Sequence, residues 1–96
     1  MKYVFHPQAR IELNNIIDYY EALQARLGLE FLEEVYSTVC RIIEFPKAWP
    51  SFSKSTRKCL LNRFPFAVIY RIRKDEILIV AIAHFARKPG YWKNRV

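Results

Sequence analysis

The residues with the richest chemistry stand together at the end of the chain, His84 to Arg95, in the run HFARKPGYWKNR. His84 and Tyr91 are proton carriers, Arg87, Lys93 and Arg95 bring fixed positive charge, and Tyr91 and Trp92 bring flat stacking surfaces. A second set of cations, Lys54, Arg57, Lys58, Arg63 and Arg71, lies between residues 54 and 71. Histidine, tyrosine and converging arginines suit metal-free cleavage of RNA through its own 2′-hydroxyl, which needs a base, an acid and cations on the developing charge. Arg63, His84, Arg87 and Tyr91 are the candidate catalytic residues. Lys54, Arg57, Lys58, Arg71, Trp92, Lys93 and Arg95 are candidates for nucleic-acid contact. Four of them also have a plainer reading: His84 as a hydrogen-bonded strand-end histidine, Trp92 as a lid on apolar surface, and Arg57 and Arg63 as charges that keep an edge strand from aggregating.

Other chemistries find little support. Two glycines do not make a phosphate-binding loop, and no serine stands in a nucleophile-elbow context. His6, His84, Cys40 and Cys59 lack the close spacing of a zinc site, so neither metal nor cofactor is expected. Cys40 and Cys59 read as reduced thiols in apolar surroundings. The early apolar stretch ends at His6-Pro7, which does not resemble a signal peptide. The longest apolar run is far short of the ~20 residues that span a bilayer. A cytoplasmic protein without membrane contact is the expectation.

Charge divides the chain. Residues 1–45 hold four Lys/Arg and seven Asp/Glu, a net of −3, whereas residues 46–96 hold twelve and two, a net of +10. This polarity points to an anionic partner, whether nucleic acid or acidic protein.

The elements that must position these side chains fit one domain, 1–96. Lys2–Phe5 reads as a strand and Pro7 as the first position of a helix. Ala9, Leu13, Ile16, Ile17, Tyr20, Leu23 and Leu27 continue that helix until Gly28 breaks it. A second helix, about 29–44, carries Phe31, Leu32, Val35, Val39, Ile42 and Ile43 and stops at Pro46. Residues 46–56 form a loop pinned by Trp49 and Phe52. Strands follow at 57–62, 66–73 and 77–85, the last two joined by a turn at Lys74-Asp75. Strict alternation puts Phe66, Val68, Tyr70, Ile72, Ile77, Ile79, Ala81, Ala83 and Phe85 on one face. Ala67, Ile69, Arg71, Leu78, Val80, Ile82 and His84 fall on the other. Both faces are largely apolar, and a helical hairpin covers only one. The second face therefore requires the C-terminal segment, a partner chain or self-association.

The expected fold is α+β, in the order β-α-α-β-β-β: an N-terminal strand and an antiparallel helical hairpin packed on one face of a mainly antiparallel four-stranded sheet. The stretches HPQARIELNNIIDYY, GLEFLEEV, RKCLLNRFPFAVIYRI and ILIVAIAHFARKPGYWKNR in this arrangement resemble the RelE/ParE toxin superfamily of bacterial type II toxin–antitoxin systems. FPFAVIYRI followed by AIAHFARKPGYW is the most specific part, and is similar to ParE-like, or plasmid-stabilisation, toxins. The resemblance implies a toxin held inactive by an antitoxin encoded beside it, whose acidic segment wraps the toxin. It also implies one of two targets. RelE-like members cut ribosome-bound messenger RNA without metal, and Arg63, Arg87 and Tyr91 fall near their arginines and late tyrosine. The lysine-rich segment of those members is reduced here to Lys54 and Lys58. ParE-like members poison DNA gyrase without enzymatic chemistry, and His84 matches a strand-end histidine common among them. An inactive member that only binds its antitoxin is a third form.

Overall fold

A computed structural model describes all residues, 1–96. The first strand, β1 (Lys2–Phe5), gives way to helix α1 (Pro7–Leu23) at His6. The His6 imidazole Nδ1 accepts a hydrogen bond from the Gln8 amide at 3.0 Å, and Pro7 supplies a preset φ where no amide donor is needed. The His6 amide donates to Ile79 O at 2.9 Å, which ties the start of the helix to the sheet.

Helix α2 (Leu27–Glu44) begins earlier than the sequence implies, and Gly28 lies inside its first turn. The turn is made instead by Arg26, whose φ of 72° is left-handed. Glu21 of α1 caps the new helix by accepting from the amides of Arg26 (2.8 Å) and Gly28 (3.0 Å). Gly28 serves packing. A Cβ there would stand 2.6 Å from Ile17 O, so only glycine lets the two helices approach this closely. Phe31, Val35, Val39 and Ile42 of α2 and Ala9 and Leu13 of α1 are fully buried against the sheet. Tyr20 packs on that core, while its neighbour Tyr19 is exposed.

Strands β2 (Arg57–Leu60), β3 (Phe66–Ile72) and β4 (Glu76–His84) each end one or two residues short of the expected bounds, and β4 begins one residue early. The sheet order is β1-β4-β3-β2, with β1 parallel to β4 and the other pairs antiparallel. The turn at Lys74-Asp75 is as expected, with the Arg73 amide donating to Glu76 O at 2.9 Å. The loop before β2 straddles the sheet edge: Trp49 packs on the helix-side core and Phe52 on the opposite face. Tyr70 holds the end of α2 through its hydroxyl, which donates to Pro46 O at 2.7 Å; burial pushes its pKa up to about 12.

Strict alternation fails in β4. Ile69 pairs with Ala81 and Tyr70 with Ile79, which leaves Val80 as an extra residue in a β-bulge. Beyond the bulge the faces exchange. Ile77, Ile79 and Ile82 enter the helix-side core, whereas Leu78, Val80, Ala81 and Ala83 join Ala67 and Ile69 on the second face. His84 thereby sits on the helix side, edge-on to Phe66 at 5.0 Å. The second face is not bare, because Trp92 is 4% exposed on it and stacks on Phe52 at 5.3 Å. Ala81 and Ala83 are small enough to admit that indole. Cys59 is buried, and burial raises its thiol pKa; Cys40, expected in apolar surroundings, is exposed. No helix is long and apolar enough to cross a membrane.

Candidate functional site

The end of β4 and the segment after it bring some of the candidate residues together. The His84 Nδ1 accepts from the Ala86 amide at 2.9 Å, so the neutral imidazole keeps its proton on Nε2. Arg87 lies over the Tyr91 ring, with Cζ 3.8 Å from the centroid. His84 and Arg87 border two cavities. One, about 220 Å³, lies beside α1 with Glu12 and Asn15. The other, about 130 Å³, lies on the second face with Lys58, Phe52 and Trp92.

Tyr91 is poorly placed for proton transfer. Its hydroxyl is buried near the Glu12 carboxylate without a hydrogen bond of normal geometry. Burial first, and Glu12 second, push its pKa up; Arg87 and Arg95 pull it back less strongly. Both guanidinium groups lie over the ring, Arg95 at 5.1 Å. Trp92, expected among the nucleic-acid contacts, is buried and stacked on Phe52, which leaves no face for a base. Its role is the plainer one, a lid on the sheet.

Arg95 is likewise structural. It donates to Val80 O at 3.1 Å and pairs with Glu12 at 3.0 Å, while the other oxygen of Glu12 accepts from the Ile82 amide at 3.0 Å. β1 pairs with β4 only as far as Ile79, and beyond it these two side chains satisfy the Val80 carbonyl and the Ile82 amide. Glu12 is thus a hub between α1, β4 and the C-terminal strap, and sequence reading missed it. The signal was present: Glu12 borders the apolar arc Ala9, Leu13, Ile16 of an amphipathic helix.

Arg63 stands apart from this cluster. It pairs with Glu30 of α2 at 2.8 Å and lies over Phe64, while its amide and that of Asn62 donate to Glu34. Neither cavity bordered by His84 and Arg87 includes it. Arg57 donates to Trp49 O at 2.6 Å and so braces the loop before β2. Lys54 and Lys93 are exposed, and Arg71 is half-buried, paired in register with Leu78 on the second face. Of the twelve Lys/Arg in residues 46–96, three form ion pairs (Arg63, Arg73 and Arg95), which leaves nine without a carboxylate partner. No cluster of His, Cys, Asp and Glu is placed to hold a metal ion.

Residues 3–89 match the family described as the ParE toxin of the type II toxin–antitoxin system parDE. The chain belongs to the ParE toxin family. A solved structure of the chromosomal ParDE toxin–antitoxin system from P. aeruginosa shares the fold, with a TM-score of 0.77 and 24% identity over 88% of this chain and 95% of that one. No curated protein sequence matches. The family match ends at Pro89, so the strap of this ParE-family toxin, Tyr91 to Arg95, follows the matched region.

Proposed function

We propose that this ParE-family toxin acts as a non-enzymatic inhibitor of DNA gyrase in the bacterial cytoplasm and is held inactive by a cognate antitoxin. The observation that carries this reading is the dispersal of the ribonuclease set. Arg63 borders neither cavity that His84 and Arg87 share, and the Tyr91 hydroxyl, though its ring lies under Arg87, is buried with a raised pKa. A protein target suits the helical hairpin. Ile11, Tyr19 and Leu23 of α1 lie at helical spacing and are 50%, 62% and 61% exposed. The antitoxin reading draws on the family and on the nine unpaired cations, which favour an acidic partner.

A second reading, the metal-free ribonuclease, keeps one supporting observation: His84 and Arg87 share a cavity. Brief induction of the chain alone in a bacterial host separates the two. Trapped gyrase–DNA cleavage complexes with intact messages are expected. In-frame cuts in translated messages, mapped as new RNA 5′ ends, would overturn the proposal. Replacing exposed Tyr19 or Leu23 with glutamate is expected to abolish growth inhibition while leaving the thermal transition in place. Undiminished toxicity in both would exclude the hairpin as the contact.

A further inference from the structure

Two cations on the second face are held over aromatic rings and have no counter-ion. Lys58 Nζ stands 4.0 Å from the centre of the Phe52 ring, and Arg87 Cζ 3.8 Å from that of Tyr91. Neither forms an ion pair. The 130 Å³ cavity that both border has an aliphatic floor of Ala67, Ile69 and Ala83, and no acidic residue lines it. We propose that this cleft seats one apolar side chain of an acidic peptide, whose neighbouring carboxylates rest on Lys58 and Arg87.

Size, chemistry and charge agree on that occupant. An apolar cavity of roughly 150 Å³ holds a benzene-sized group, so this one suits a leucine-sized side chain. The alanines at positions 67 and 83 create the space, and the Phe52–Trp92 stack forms a stiff wall. Cation–π contact orients both cations while leaving their N–H groups free for carboxylates. A nucleobase fits less well. Phe52 and Trp92 already stack on each other at an interplanar angle of 29°, and the floor is aliphatic, with the polar groups of Lys58, His84 and Arg87 on the walls. The inference rests on the reading of the chain as a toxin restrained by a protein partner, and it adds the place where one side chain of that partner would anchor.

The test uses the full chain, labelled with ¹⁵N and titrated with a blocked heptapeptide of glutamates around a central leucine. Saturable shifts are expected at Ala67, Ile69 and Ala83, and replacing the leucine by glycine should weaken binding at least tenfold, the order expected for one buried leucine. Lys58→Gln and Arg87→Gln should each weaken it about threefold at low salt. Equal binding of the leucine and glycine peptides, or shifts confined to other regions, would overturn the proposal. So would a single-stranded oligonucleotide that moves the same resonances at lower concentration than the peptide. None of these readouts depends on toxicity, so failure here leaves the antitoxin and gyrase readings to their own experiments.

Discussion

Glu12 and Tyr91 show how a single side chain changes meaning with its surroundings. Glu12 makes an ion pair with Arg95 in which both side chains are mostly buried, at 16% and 14% exposure. Removing one partner leaves the other charge without compensation. Glu12→Gln is expected to lower stability by about 2 kcal/mol, less than a fully buried pair because the amide can still accept from the Ile82 amide; urea unfolding measures it. Tyr91 titrates later than an ordinary tyrosine because burial and Glu12 favour its neutral form. The unfolded chain therefore loses this proton first, near the ordinary value of 10.0, so the contribution is complete below that pH and is lost as pH rises toward the folded value. Tyr91→Phe should flatten the decline of Tm above about pH 10. Tyr70, whose pKa is raised to about 12, retains its own share of that decline. Because the Tyr91 hydroxyl lacks a partner, the same variant should be at least as stable as the parent at pH 7 and equally toxic. Loss of toxicity in folded Tyr91→Phe would restore a chemical role to the hydroxyl.

Among the elements, the helical hairpin and the C-terminal strap face the sheet from opposite sides and depend on different residues. The hairpin depends on the close approach at Gly28. Gly28→Ala forces a methyl against the Ile17 carbonyl and should cost about 2 kcal/mol, read by thermal or urea unfolding. A helix-propensity argument alone predicts the opposite sign, since alanine favours a helix interior over glycine. The strap depends on Trp92. Trp92→Ala should cost about 3 kcal/mol and speed amide exchange on the second face around Ala67 and Ala83, while the amides of α2 stay protected relative to them. The lid was legible in the residue type of Trp92, but the fastening of the strap by Arg95 was not. That clasp binds the Val80 carbonyl, at the bulge and just past the last residue of β4 that β1 pairs with.

For the molecule as a whole, charge and apolar surface are arranged to meet a partner. Four of the seven acidic residues of the first half cap a helix or pair internally: Glu21 at the start of α2, Glu30 and Glu34 on the segment before β3, and Glu12 on the strap. The basic excess is less fully neutralised, since nine Lys/Arg of residues 46–96 have no carboxylate partner. Association with an acidic partner should accordingly weaken as salt rises from 50 to 500 mM, mostly through a slower on-rate, as the Debye length shrinks. A salt-independent association rate in stopped-flow mixing would contradict this.

The sequence by itself determined the order and type of the elements. Period-3.6 and period-2 hydrophobic patterns, together with Pro7 and Pro46, are local signals that hold whatever the chain packs against. It also determined the charge polarity and the family resemblance. Three matters were decided only in three dimensions. The bulge at Val80 reversed the faces of Ala81, Ile82, Ala83 and His84, because Ile82 fills the helix-side core while the small alanines make room for Trp92. Gly28 became a contact point and left the helix break to Arg26, because the distance between helices is a tertiary quantity. Of the four candidate catalytic residues, His84, Arg87 and the Tyr91 ring gathered at the end of β4, whereas Arg63 was drawn to Glu30 and the Tyr91 hydroxyl was buried beside Glu12. Residue type states which chemistry a side chain can do; burial and partners, set by packing between distant segments, decide whether it is free to do it.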